Sequence, residues 1–143
     1  MKHAKFLIAI AAIAVLMFVY INASKNQAAN NEPRLTIKVL DVGQGDAIFI
    51  ETPEQYQILI DGGPDKAVVG KLGEIMPFWD RSIDAVVLTH PHSDHVAGLV
   101  EVLRRYDVGK VYMTGVLHTS SDYIEFLKLI KEQNITTQIV DAP

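Results

Sequence analysis

The stretch "THPHSDHVAG", Thr89 to Gly98, follows a continuous apolar run, "IDAVVLT", Ile83 to Thr89. The run reads as a strand buried on both faces. Beyond it the sequence places His90, His92, Asp94 and His95, so three of the five histidines fall within six positions. Residues i and i+2 of an extended segment point the same way, so His90 and His92 share a face. Pro91 fixes its own φ and biases His90 toward an extended conformation. Val96, Leu99, Val100, Leu103 and Tyr106 recur at helical spacing, which predicts a helix after His95. Asp94 and His95 then fall where the chain turns, and point elsewhere. One short loop thus offers two separate pairs of ligands, as a site with two ions about 3.5–4 Å apart requires. Imidazole and carboxylate without thiolate suit Zn²⁺, with Mn²⁺ and Fe²⁺ as the other fits.

Working outward, "RLTIKVLDVGQGDAIFIET" reads as two strands around a glycine-rich turn, and "YQILIDGG" as a third strand stopped by two glycines. These predict an antiparallel meander. A helix is expected from Lys66 to Met76, ending before Pro77. "KVYMTG" is a further strand, and "SSDYIEFLKLIKEQN" a helix with Ser121 as its cap and Glu125 in the first turn. "TTQIV" closes as a strand. Strands come first, then strands alternating with helices, which predicts a mixed sheet with helices packed against it.

The first thirty or so residues differ from the rest. "FLIAIAAIAVLMFVYI", Phe6 to Ile21, is an unbroken apolar run behind Lys2 and Lys5. Ten of its residues are Leu, Ile, Val or Phe, which favours membrane insertion by about 3–6 kcal/mol. Residues 1–23 are therefore read as a signal anchor or signal peptide, with the anchor preferred because Ile21 stands where cleavage wants a small residue. Positive charge before the run predicts that the remainder of the chain is exported, membrane-anchored or secreted, on the extracytoplasmic side. Residues 24–33 read as a polar linker, and 34–143 as one globular unit. That unit carries ten Lys/Arg against sixteen Asp/Glu, a formal net of −6. Such a charge disfavours non-specific DNA binding unless basic residues cluster or metal ions offset the field. The chain has no cysteine, so neither disulfides nor a thiolate metal site is available.

"THPHSDHVAG" resembles the H-x-H-x-D-H metal-binding motif of the metallo-β-lactamase superfamily. "LDVGQGDAIFIET" and "ILIDGG" resemble the opening of the same hydrolase domain in ComEC-type competence (DNA internalisation-related) proteins. The resemblance implies an α+β fold, the four-layer αββα sandwich, of which the chain holds the first half, preceded by the hydrophobic N-terminal helix. It implies His90 and His92 at one ion, and Asp94 and His95 at the other. Asp61 matches the aspartate that supports the metal loop from behind, and Asp46 a site-facing position that a plain hairpin turn explains nearly as well. His118 and Asp122 lie in a stretch similar to the family's "HTSS" segment, more often non-ligands than ligands. The family's later T-G-D and H-H-G segments are not found, so the domain is read as truncated.

The resemblance implies a metal-dependent hydrolase, phosphodiesterase- or nuclease-like and related to DNA uptake, acting through a metal-bound hydroxide that Asp94 orients. Two zinc ions are expected in the complete domain. The partners expected are a phosphodiester or nucleic-acid substrate and, through the N-terminal helix, a membrane. The alternatives are a β-lactamase or lactonase on the same scaffold, or a non-catalytic binding module.

Overall fold

The computed structural model describes residues 13, 15–20 and 33–140. The chain divides into two units, Met1–Pro33 and Arg34–Pro143. The segments read as an anchor or signal peptide and as a linker lie largely outside the described residues. Residues 15–20 of the apolar run are helical. Among the described residues no helix is long and apolar enough to cross a membrane.

The second unit is one six-stranded sheet. Its elements in chain order are β1 (Thr36–Val39), β2 (Ile48–Glu51), β3 (Gln57–Ile60), α1 (Ala67–Ile75), β4 (Ser82–Leu88), α2 (Ser93–Leu103), β5 (Asp107–Met113), α3 (Ser121–Glu132) and β6 (Thr136–Ile139). The strand order in space is the order in sequence, β1-β2-β3-β4-β5-β6. The expected meander is present: β1, β2 and β3 pair antiparallel, in the register Val39↔Ile48 and Ile48↔Ile60. From β3 to β6 every pair is parallel. Each parallel step crosses over through a helix, and crossovers are right-handed almost without exception. Three such steps in one direction put α1, α2 and α3 on the same face.

Burial follows from this. One row across the sheet runs Phe49↔Leu59↔Val86↔Val111. All four are buried, and Val68 and Leu72 of α1, Val96 and Leu99 of α2, and Phe126 of α3 join them in the core. The opposite face carries the row Val39↔Ile48↔Ile60↔Val87↔Tyr112. There Val39 is 78% exposed, and Ile48, Ile60, Val87 and Tyr112 are only half-buried. The helix-bearing layer and sheet match the expected first half of a sandwich.

Two helix starts differ from the sequence expectation. The helix expected after His95 begins at Ser93, with His92 as its cap, and the His92 carbonyl accepts the amides of His95 and Val96 at 3.0 Å each. Asp94 suits the positive end of the helix dipole, which favours this earlier start. In α3 the cap is Ser120 rather than Ser121: its Oγ accepts the Tyr123 amide at 3.4 Å, and Asp122 is the acidic residue of the first turn. Two adjacent serines carry the same capping chemistry, and only the extended backbone of Ser120 decides between them.

Candidate metal centre

The carboxyl ends of β3 and β4 lie side by side, which brings Asp61 against Thr89. Asp61 is 2% exposed and holds a left-handed backbone, φ 55°. Its Oδ1 accepts the Thr89 amide at 2.9 Å, and its Oδ2 accepts the Thr89 hydroxyl at 2.5 Å. Oδ2 also lies 2.9 Å from Nδ1 of His95, which is buried. A carboxylate can only accept here, so His95 carries its proton on Nδ1 and presents an unprotonated Nε2. The Thr89 hydroxyl donates to Asp61, so the same oxygen accepts from Nδ1 of His90, 3.0 Å away. His90 is thereby fixed in the same tautomer. One buried carboxylate thus leaves Nε2 of two imidazoles available, the arrangement that orients histidines toward a metal where one is bound.

The rings converge. The ring centroids of His90 and His92 are 4.8 Å apart, and those of His90 and His95 only 3.9 Å. The expectation that His95 points away from His90 therefore does not hold. An early helix start places His95 in the first turn of α2, where it folds back toward the end of β4. His90 and His95 come together with Asp61, while His92 lies beside His90 and Asp94 beside His95, both outside that group of ligand atoms. His95 Nε2 lies 4.0 Å from Oδ1 of Asp94, too long for a hydrogen bond. Two ligands about 2.0–2.2 Å from one tetrahedral zinc ion stand about 3.3–3.6 Å apart, so this pair would draw together to share an ion. Asp61, His90 and His95 each bring one potential ligand atom to within 4.8 Å of the others. With both of its oxygens engaged by Thr89 and His95, Asp61 fits better as the orienting group than as a ligand. Nitrogen and oxygen donors held in metal-ready tautomers fit a divalent ion.

Glycines close the centre from the sides. A Cβ on Gly45, φ +76°, would stand 1.9 Å from the Asp94 carbonyl oxygen, so "GQGD" is the surface on which the first turn of α2 rests. Likewise a Cβ on Gly98 would stand 1.8 Å from the Gly62 carbonyl oxygen. The Gly62 amide donates to the His95 carbonyl at 2.9 Å, and the Gly98 amide to the Gly63 carbonyl at 3.0 Å. Sequence reading missed both close approaches; the signal was a glycine in each of three separated motifs. Asp46 is exposed, and its backbone carbonyl accepts the Gly63 amide at 2.9 Å.

His118 approaches the centre, its ring centroid 5.6 Å from that of His92. Its Nδ1 accepts the Ser120 amide at 3.2 Å, which leaves the proton of the neutral ring on Nε2. Asp122 lines the groove between α2 and α3 with Glu101 and Arg104.

The family model described as the metallo-beta-lactamase superfamily matches residues 40–137, a span that includes every residue of this centre. The chain belongs to the metallo-beta-lactamase superfamily. It is 25% identical over 121 residues to ComE operon protein 3 of Bacillus subtilis (strain 168), covering 73% of this chain and 16% of that protein. It is 33% identical over 64 residues to a hydroxyacylglutathione hydrolase of Serratia proteamaculans (strain 568), covering 45% and 24%. Against endoribonuclease YSH1 of Mycosarcoma maydis the identity is 32% over 96 residues, covering 60% and 11%. The chain thus spans a quarter or less of each of these relatives. The crystal structure of the metallo-beta-lactamase fold protein YhfI from Bacillus subtilis aligns with a TM-score of 0.47 at 20% identity, covering 78% of this chain and 44% of that one.

Proposed function

We propose that the chain carries the metal-binding half of a metal-dependent phosphodiesterase, nuclease-like and related to DNA uptake. The observation that carries this reading is the Asp61–Thr89–His90 and Asp61–His95 hydrogen-bond system, which readies two imidazoles for a metal. Similarity to a ComE operon protein and to an endoribonuclease supports a phosphodiester substrate. His90, His92, Asp94 and His95 would hold divalent metal, zinc best among the fits. Bound there, the metal supplies Lewis-acid stabilisation of the developing charge. Asp94, on the first turn of α2, orients the attacking water with its free carboxylate oxygen. Asp61 keeps both histidine tautomers fixed throughout, and the missing side chain of Gly45 leaves room for the Asp94 backbone.

Similarity to hydroxyacylglutathione hydrolases favours a second reading, hydrolysis of an acyl bond at the same centre. The test compares turnover of bis-p-nitrophenyl phosphate, a thioester and a β-lactam by the chain with added Zn²⁺ or Mn²⁺. Slow metal-dependent phosphodiester cleavage is the expected result, because the motif gives each of two ions only two ligands where catalytic zinc keeps three, and Asp94→Ala should abolish it. Equal rates in the variant overturn the assignment, and preference for the thioester or lactam promotes the second reading.

A further inference from the structure

Beside His90 a cavity of about 920 Å³ opens at the carboxyl ends of β4, β5 and β6, against α3. Thr89 and His90 form one end of it, so it is continuous with the metal centre. Met113, Leu117, Tyr123, Leu127, Ile139 and Val140 supply apolar wall. Among the described residues no lysine, arginine, aspartate or glutamate lines it.

We propose that this cavity is a subsite for an uncharged aromatic ring borne by the scissile phosphoryl group. The proposal rests on the phosphodiesterase reading and adds what the substrate carries. Ligands of sheets with parallel strands bind beyond the carboxyl ends of those strands, and the volume lies in the range of small-molecule sites. The charge pattern fixes the orientation. Among the described residues nothing cationic lines the cavity to hold a phosphate, so the phosphoryl group stays at the His90 end and the neutral part enters. The open walls are aliphatic and suit a flat, uncharged group: Met113 and Tyr123 are buried at the floor, and Leu117, Ile139 and Val140 supply the surface on which a ring can lie. Thr114 and Thr137 add two hydroxyls for a polar ring edge. The driving force is present too: Leu117 is 86% exposed, Ile139 49% and Val140 47%, apolar surface that a bound ring would take out of water.

The test uses the full chain with zinc and ¹³C-methyl-labelled methionine. Titration with phenylphosphonate and methylphosphonate is followed by calorimetry and by the methyl resonances. Phenylphosphonate should bind at least tenfold more tightly. It should shift the Met113 methyl and leave that of Met76, which lies at the end of α1, in place. Leu117→Ser with Ile139→Ser, both at exposed positions, should bring the two affinities together. Equal affinities in the unaltered chain, or a shift at Met76 instead, would overturn the subsite. Failure of both phosphonates to bind a zinc-loaded chain would overturn the phosphodiesterase reading instead. Phenol titrated alone would then decide the cavity by the same Met113 resonance.

Discussion

Replacing Asp61 by Asn separates tautomer control from folding. The amide has the shape of the carboxylate, and asparagine accepts the left-handed backbone that Asp61 holds, φ 55°. Its oxygen can still take the Thr89 amide. Its NH₂ must then face the Thr89 hydroxyl and the Nδ1 of His95, where Asp61 presents an acceptor. His95 can answer only by becoming an acceptor at Nδ1, which moves its proton to Nε2 and removes the ligating lone pair. The Thr89 hydroxyl, turned to accept, remains beside His90 but no longer completes the chain to a carboxylate. One mismatched buried contact costs about 1–2 kcal/mol, a loss that a domain of about 5–15 kcal/mol survives. Zinc affinity should fall about 10–100-fold, the usual effect of losing the partner behind a metal histidine. Asp61→Ala, by contrast, strands three donors and should cost about 3–5 kcal/mol. The assays are urea unfolding, competitive zinc titration and long-range ¹H–¹⁵N spectra of the imidazoles. If Asp61→Asn keeps both its zinc affinity and the Nδ1–H form of His95, the tautomer argument is wrong.

His92→Ala and Asp94→Ala should each lower bound metal in elemental analysis of purified protein, and unchanged stoichiometry in both would remove them from the ligand set. Gly45→Ala puts a methyl 1.9 Å from the Asp94 carbonyl oxygen at a positive φ; it should cost about 2–3 kcal/mol in urea unfolding and weaken metal binding with it. The Arg105 guanidinium, with help from Arg104, holds the Glu101 carboxyl below its ordinary value. That contribution is present above the ordinary glutamate range and is lost as pH falls through the lowered folded value. Since the pairs are partly exposed, Glu101→Gln should cost only about 0.5 kcal/mol at neutral pH, with the difference from the parent vanishing in acid. If residues 1–23 anchor the chain as their charge pattern proposes, protease added outside intact, outer-membrane-permeabilised cells should digest the domain, and protection would reverse the topology.

The sequence carried the fold through periodicity: alternation in β1, the unbroken apolar run of β4 and the helical spacing of Val96, Leu99 and Leu103 each match what the structure holds. Helix starts were less legible, because Ser120 and Ser121 differ in backbone rather than chemistry, and because His92 caps α2 without any side-chain bond. At the metal centre the residue types and their loop were readable from local spacing. The role of Asp61 came only through resemblance. Its contacts join positions 28 and 34 residues apart, and no periodicity reports such a pairing. The seats of Gly45 and Gly98 were hidden for a related reason: what a missing Cβ avoids belongs to another loop.

A sheet whose spatial order repeats its chain order can grow in one direction during synthesis. Each new strand pairs with the one made just before it, so no strand has to be inserted between two that are already joined. The β1–β2 and β2–β3 closures are short, while each parallel pairing must close a helix-long crossover. The hairpin β1–β2 can form while β4 is still inside the ribosome, and Asp61 waits at the growing edge. Thr89 and the histidines reach it in the next crossover, before β5 or β6 exists. The residues of the centre thus all leave the ribosome before β5 does, and a metal ion captured at that stage would hold the nascent edge while the remaining strands arrive.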